Sequence, residues 1–340
     1  MAIRVQYTSM ADVEVENRGI KKTFLDEVEK VIEWRSIEKI LNRHYKKAKN
    51  ITGNSAYPPL PMFKILLLQR WYNLSDPAME EALYDRISFL RFTGFSLSSE
   101  LPDHSTICRF RNYLLEKNIY ERLFYEINRQ LEKKAWIVKS GVIVDATIVE
   151  SSRRPRKKVE KVIQKGEGYE EGKTEERVSY SEDVDAKWVE KRNHLYYGYK
   201  LHMGVDDKNG FILGGHISTA NISDTNQMEG VVDESEVKRG NVVYGDKGYD
   251  SEKNRRIIKA KGLKQRIMKK AKRNKPLSRW QKTWNKLIAK VRYIVERGFG
   301  TLKRQYGMNR FRYLGKDKGQ MEFFLNAMCF NIKKAVRMAI

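Results

Sequence analysis

Cysteine, proline and long apolar runs are all scarce in this chain. Its 340 residues include two cysteines and seven prolines. Cys108 and Cys329 lie far apart in sequence, which excludes a disulfide framework and a cysteine-based zinc site. No run approaches the roughly 18 apolar residues needed to span a bilayer. The best, ILLLQRW, is interrupted at once. The opening MAIRVQYTSM has no apolar signal core, so a cytoplasmic protein is expected. The sharpest scarcity is local: among 23 Lys and Arg between residues 253 and 316 stands a single carboxylate, Glu296.

What is present points to a polyanion. The formal net charge is +24, and residues 253–316 supply +22 of it. Such concentrated positive charge repels itself unless an anionic partner neutralises it, so nucleic acid is the expected partner and a membrane surface the weaker fit. At 41% hydrophobic the chain still buries a substantial core.

The pattern of the chain changes near residue 136. Before it, apolar residues recur at helical spacing, as in Phe24, Val28, Ile32, Ile37, Ile40 and Leu41 over 23–48. A buried helix is expected from residue 59, another after Ser75-Asp76-Pro77, and another after Asp103 or Ser105 as N-cap. Residues 1–135 thus read as an all-helical DNA-binding or dimerisation region with room for a helix-turn-helix, in which Arg109 and Arg111 are candidate DNA contacts. His104 reads as a helix N-terminal residue.

After it, WIVKSGVIVDATIVE reads as a buried strand ending near Asp145, and NVVYGDKGYD as a short strand ending near Asp246. YYGYKLHMGVDD and FILGGHISTA form two strands between them, and a long helix spans 278–306. Lys200 and His202 share strand parity and are candidates to face the site. Trp280 and Trp284 share a helix face and read as core. Residues 151–190 hold ten positive and ten negative residues in forty, a composition that predicts a mobile insertion. Its basic front, with Arg153, Arg154, Arg156, Lys157 and Lys158, is a candidate DNA contact.

A carboxylate at the end of a buried strand is costly unless a charge compensates it. Asp145 and Asp246 are two such residues, and together they make a hard-oxygen site suited to Mg²⁺ or Mn²⁺. A third acid would complete a two-metal site for phosphoryl transfer, and Glu296 is the candidate. Arg292 lies one helical turn before it and Lys303 two turns after, so all three share a helix face.

The order Asp, Asp, Glu on strand, strand and helix resembles the ribonuclease H-like core of DDE transposases. GVIVDAT resembles their first-aspartate strand and VVYGDKGYD their second-aspartate motif. Arg292, Glu296 and Lys303 match the Arg-x3-Glu-x6-Lys signature of the insertion-sequence families four and five, with Ala289 where that signature usually has a tyrosine. The 50-residue spacing from Asp246 to Glu296 suits family five. DRISFLRFTGF with PDHSTICRFRNYL, YYGYKLHMGVD and NAMCFNIKK fit as well. The resemblance implies an α+β fold: an N-terminal helical domain, then a ribonuclease H-like α/β core with a mixed sheet over 136–340. It implies two Mg²⁺, with Mn²⁺ as a substitute, held by Asp145, Asp246 and Glu296. Arg292 and Lys303 would hold phosphates of double-stranded DNA. The implied activity is cleavage at inverted-repeat ends and joining to target DNA by a bacterial, nucleoid-associated enzyme, a homodimer in its synaptic complex. A nuclease or a silent DNA-binding derivative are the alternatives.

Overall fold

The computed structural model describes residues 23–45, 56–156, 158–164, 173–179, 182–271 and 274–339. Its helical half follows the apolar periodicity, with breaks that the periodicity does not carry. The stretch from residue 23 divides into α1 (Phe24–Val31) and α2 (Trp34–His44). The Gln130 amide accounts for the break: it accepts from Glu33 N at 2.9 Å and donates to Glu33 O at 3.1 Å. A side chain almost a hundred residues away thus satisfies backbone groups that the helix leaves open. Then come α3 (Pro59–Trp71), α4 (Asp76–Asp85), α5 (Ile87–Thr93), α6 (His104–Glu116) and α7 (Ile119–Lys133). Ser75 and Asp103 cap their helices as expected, accepting from Ala78 N at 3.3 Å and Thr106 N at 2.7 Å.

The second half is a mixed sheet between helices. Its strands are β1 (Gly141–Glu150), β2 (Lys158–Gln164), β3 (Lys173–Ser179), β4 (Lys187–Lys191), β5 (His194–Asp206), β6 (Ile212–Thr219), β7 (Val242–Gly245) and β8 (Lys264–Ile267). The main order is β4-β5-β1-β7-β8, with β6 also on β5 and β2–β3 as a separate hairpin. β1, β5 and β6 run antiparallel, while β1, β7 and β8 run parallel. This is the α+β, ribonuclease H-like arrangement expected. The connecting helices are α8 (Met228–Glu234), α9 (Glu252–Ala260), α10 (Arg279–Gln305) and α11 (Lys316–Ala339).

Two adjacent glycines let helices close on both faces of β6. A Cβ on Gly214 would meet Glu234 O of α8 at 2.5 Å, and one on Gly215 would meet the Phe323 ring of α11 at 2.8 Å. α11 also contacts α1, α3 and α7, so the helical region and the sheet share one core. Among the described residues no helix is long and apolar enough to cross a membrane.

Two expectations need correcting. β1 does not end near Asp145 but runs on to Glu150, because the long β5 pairs with it from Asp206 back to Gly198. The insertion is not loose where it is described. β2 and β3 pair along their length, and β4 adds an edge to the main sheet through the turn at Arg192 and Asn193. Both turn residues are left-handed, with φ of 55° and 58°, as a two-residue type I′ hairpin requires. Asp183 is buried and accepts from the Ser151 and Tyr199 hydroxyls, each at 2.5 Å. The insertion lacks apolar residues for a core of its own, but an edge strand needs only the ladder of its neighbour.

Candidate active site beside helix α10

β1 and β7 set up the site. Ile143 pairs with Tyr244 in parallel register. Two residues further, on the same face, each strand reaches an aspartate, Asp145 and Asp246. Neighbouring strands lie about 4.8 Å apart, so the register brings the two acids side by side. There the parallel pairing stops, while β1 continues on β5.

Asp145 pairs with Met203, on the face covered by α10. Its Oδ1 accepts from Ala146 N at 2.9 Å, and its Oδ2 accepts from Arg292 Nη2 at 2.6 Å. The same Nη2 lies 3.7 Å from Glu296 Oε1. One guanidinium nitrogen thus joins Asp145 to Glu296, although they are far apart in sequence. Burial raises the pKa of Asp145; the Arg292 charge opposes this and the neighbouring Asp246 adds to it. Asp246 caps a single 3₁₀ turn (Lys247–Tyr249), its Oδ1 accepting from Gly248 N at 2.7 Å. Glu296 is well exposed, at 63%.

Under this edge lies a group the sequence did not single out. The Tyr249 hydroxyl is buried with no hydrogen-bond partner. Burial and the negative charges of Asp145, Asp224 and Asp246 push its pKa far up, so it stays a donor. The tyrosine in VVYGDKGYD, three residues past Asp246, was a signal that could have marked it.

The donor set is hard oxygen throughout, which suits a divalent cation. Among the described residues no three His, Cys, Asp or Glu side chains are gathered closely enough to hold a metal ion as they stand. The Arg292 guanidinium stands between two of the acids. Its Nε is itself buried without a partner.

The basic candidates divide. Lys303 donates to Ile148 O at 2.9 Å, and burial and nearby Lys191 lower its pKa. It borders a cleft of about 460 Å³ that Lys191, Arg192, His194 and Asn309 also line. The β4–β5 turn brings in Lys191 and Arg192, which lie just past the insertion and which the sequence did not single out. Along α10, Arg279, Lys286, Lys290, Arg297 and Arg304 are exposed and recur on one side of the helix. Trp280 is not core as expected: it is 64% exposed and stacks on Trp284 with centroids 5.4 Å apart.

Four other expectations change. Arg111 is buried, ion-paired with Asp76 and lies under the Tyr313 ring at 4.9 Å, so it holds the fold and presents nothing to DNA. Arg109 is exposed but folds back on its own helix, donating to Ser105 Oγ at 2.8 Å. Lys200 and His202 pair with Ile148 and Ala146, whose parity sets them on the face opposite Asp145. Lys200 is spent on Asp224 at 3.0 Å and Ile222 O at 2.7 Å, and His202 meets Ser218 Oγ at 2.7 Å through Nε2 while its buried Nδ1 has no partner. In the insertion, Arg153 pairs with Glu182 and Arg154 with Glu150 at 3.2 Å, while Arg156 is exposed. The side chains of Lys157 and Lys158 lie outside the described residues.

The chain matches the family model of the transposase DDE domain over residues 136–332, more than half its length. It belongs to the DDE transposases. A second transposase-domain model matches residues 13–113 of the transposase. Over 229 residues it is 36% identical to the transposase for insertion sequence element IS1106 of Neisseria meningitidis serogroup B, spanning 67% of this chain and 76% of that one. Solved structures give remote matches. A piggyBac transposase synaptic complex with hairpin DNA aligns at TM-score 0.44 and 10% identity, over 92% of this chain and 72% of that one. A Mos1 transposase paired-end complex aligns at 0.23 and 11%, over 97% and 93%. The family therefore rests on the sequence matches, which make the protein a DNA-cleaving and strand-transferring enzyme of an insertion sequence.

Proposed function

We propose that this transposase cuts at the inverted-repeat ends of its element and joins the 3′ ends to target DNA, with Asp145, Asp246 and Glu296 as the acids that hold two Mg²⁺ or Mn²⁺. The observation that carries the reading is Arg292 Nη2, set between Asp145 and Glu296 at 2.6 and 3.7 Å. When bound, the ions supply activation of the attacking hydroxyl and neutralisation of the leaving oxygen. The protein's own groups do the rest. Burial makes the charged form of Asp145 costly, so its carboxylate needs a cationic partner. In the reading proposed, Arg292 is that partner here, and with metal bound at the acids it would be free to hold a DNA phosphate. Lys303 and the Lys191–Arg192 turn line a cleft for the strand being cut, Lys as a point charge and Arg bidentately. The Tyr249 hydroxyl is held ready to donate to a carboxylate. Arg153, Arg154 and Arg156 flank the path of the duplex.

The spacing of the second and third acids supports membership of insertion-sequence family five. Joining two ends in one reaction favours a homodimer in the synaptic complex, in the bacterial cytoplasm at the nucleoid. Incubation with Mg²⁺ and a duplex carrying the element's own ends, sized on a denaturing gel, tests the reading. Nicked and joined products are expected. A nick without joining leaves a nuclease, and intact DNA that is nonetheless bound leaves a silent binding protein.

A further inference from the structure

A second cationic cleft lies on the reverse side of α10. It encloses about 320 Å³ between α10, α11 and the Gly210 turn, and four cations line it: Arg297, Lys333, Lys334 and Arg337. Thr301, also in its wall, is nine residues beyond Arg292, two and a half turns at about 3.6 residues per turn. The cleft and the carboxylates therefore occupy opposite sides of one helix.

Two observations mark the cleft as a site. Among the described residues none of its four cations makes an ion pair. Burial and the nearby charges of Arg297 and Arg337 depress the Lys334 pKa, and its ammonium is held over the Phe211 and Phe330 rings at 5.6 and 5.8 Å.

We propose that this cleft binds a phosphate group, supplied by the backbone of a second DNA segment held on the far side of α10 from the segment at the carboxylates. The chemistry fits a phosphodiester: four cations around an opening at the small end of ligand-sized cavities. Strand transfer needs two DNA segments in one assembly, and one helix with two phosphate-binding sides provides for both.

The test uses the full chain and the double substitution Lys334→Gln with Arg337→Gln, with Lys333→Gln as a second variant that removes a single cation of the cleft. Thermal unfolding is followed with inorganic phosphate against chloride at matched ionic strength. Binding of a random duplex to protein already saturated with an element-end duplex is measured by anisotropy. Phosphate should raise the unfolding temperature of the wild type and do so much less in both variants. The double variant should bind the second duplex roughly tenfold more weakly, with a salt slope shallower by about two. Its affinity for the first duplex and its end cleavage should be unchanged. If phosphate protects wild type and variants alike, the site is refuted. If the phosphate effect is lost but second-duplex binding persists, the cleft takes a free phosphate and the DNA assignment is overturned. Equal weakening of both duplexes also overturns it, since that reports general surface charge.

Discussion

Arg111 and Arg292 each hold an aspartate from another element, and the two sites differ in how completely the charge is satisfied. At Arg111, Asp76 takes two guanidinium nitrogens and the Gln69 amide as well, and a tyrosine ring covers the pair. At Arg292, one nitrogen serves two acids at 2.6 and 3.7 Å, the Nε has no partner, and Glu296 is largely in water. The buried pair of Arg70 with Glu322, at 3.0 Å, belongs with the first. A charge whose partners are complete serves the fold. One left incomplete where the β1–β7 pairing stops would, in the function proposed, be open to a cation and a phosphate. The lesson is to ask how many partners a charge has, not how buried it is.

The strongest test of this contrast is Asp145→Asn or Glu296→Gln. If these acids serve chemistry, cleavage on a denaturing gel should fall a thousandfold or more, since several kcal/mol of transition-state stabilisation are removed and each 1.4 kcal/mol is about tenfold. The fold and duplex affinity should persist, because losing a negative charge does not weaken attraction to phosphate. Unfolding of these variants would collapse the distinction. Its counterpart is Arg111→Met, which strands Asp76. Denaturant titration should show a loss of about 3–5 kcal/mol. Replacing Arg111 and Asp76 together with apolar residues should recover much of it.

His202 sharpens the contrast from within the sheet. Burial, with smaller contributions from His216 and Lys200, pushes its pKa down to about 3. The folded value lies below the unfolded one near 6.5, so the stability this group contributes is full above pH 6.5 and is lost as pH falls towards 3. His216 behaves oppositely. Burial disfavours its cation, but hydrogen bonding and charge from Glu234 outweigh that and raise its pKa, so its contribution is lost as pH rises. The difference in unfolding free energy between wild type and His202→Gln, followed by urea titration from pH 7 to 4, should shift in favour of the variant by roughly a few kcal/mol at the acid end. A flat difference would show that water reaches the ring.

Smaller effects separate the exposed cations. Lys303→Ala should weaken element-end and random duplex by similar, few-fold factors and reduce the salt slope by about one. Arg109→Ala should change stability by less than about 0.5 kcal/mol, because the side chain leans only on its own helix. A large loss of DNA binding there would restore the helical region as a contact surface.

Much of the candidate site was legible in the chain. Asp145 and Asp246 stand out as acids in apolar strands, and Glu296 as the one carboxylate in a basic segment. Lys200 was misread because strand parity says which residues share a face but not which face. Arg111 was misread because an arginine on a helix looks the same whether it meets DNA or Asp76. The insertion was misread because composition reports whether a segment can build a core, not whether it can borrow an edge.

By itself, then, the sequence determined the quantities that add up locally: where the charge lies, which stretches have helical or strand period, which caps begin the helices, and the order Asp, Asp, Glu. Only the tertiary structure decided which charges are complete. It brought Gln130 to the break at Glu33, Arg111 to Asp76, Arg292 between two acids, and four cations to one cleft. The physical reason is that period and composition are properties of neighbours along the chain. The satisfaction of a buried charge or donor depends on partners that long-range register and helix packing deliver.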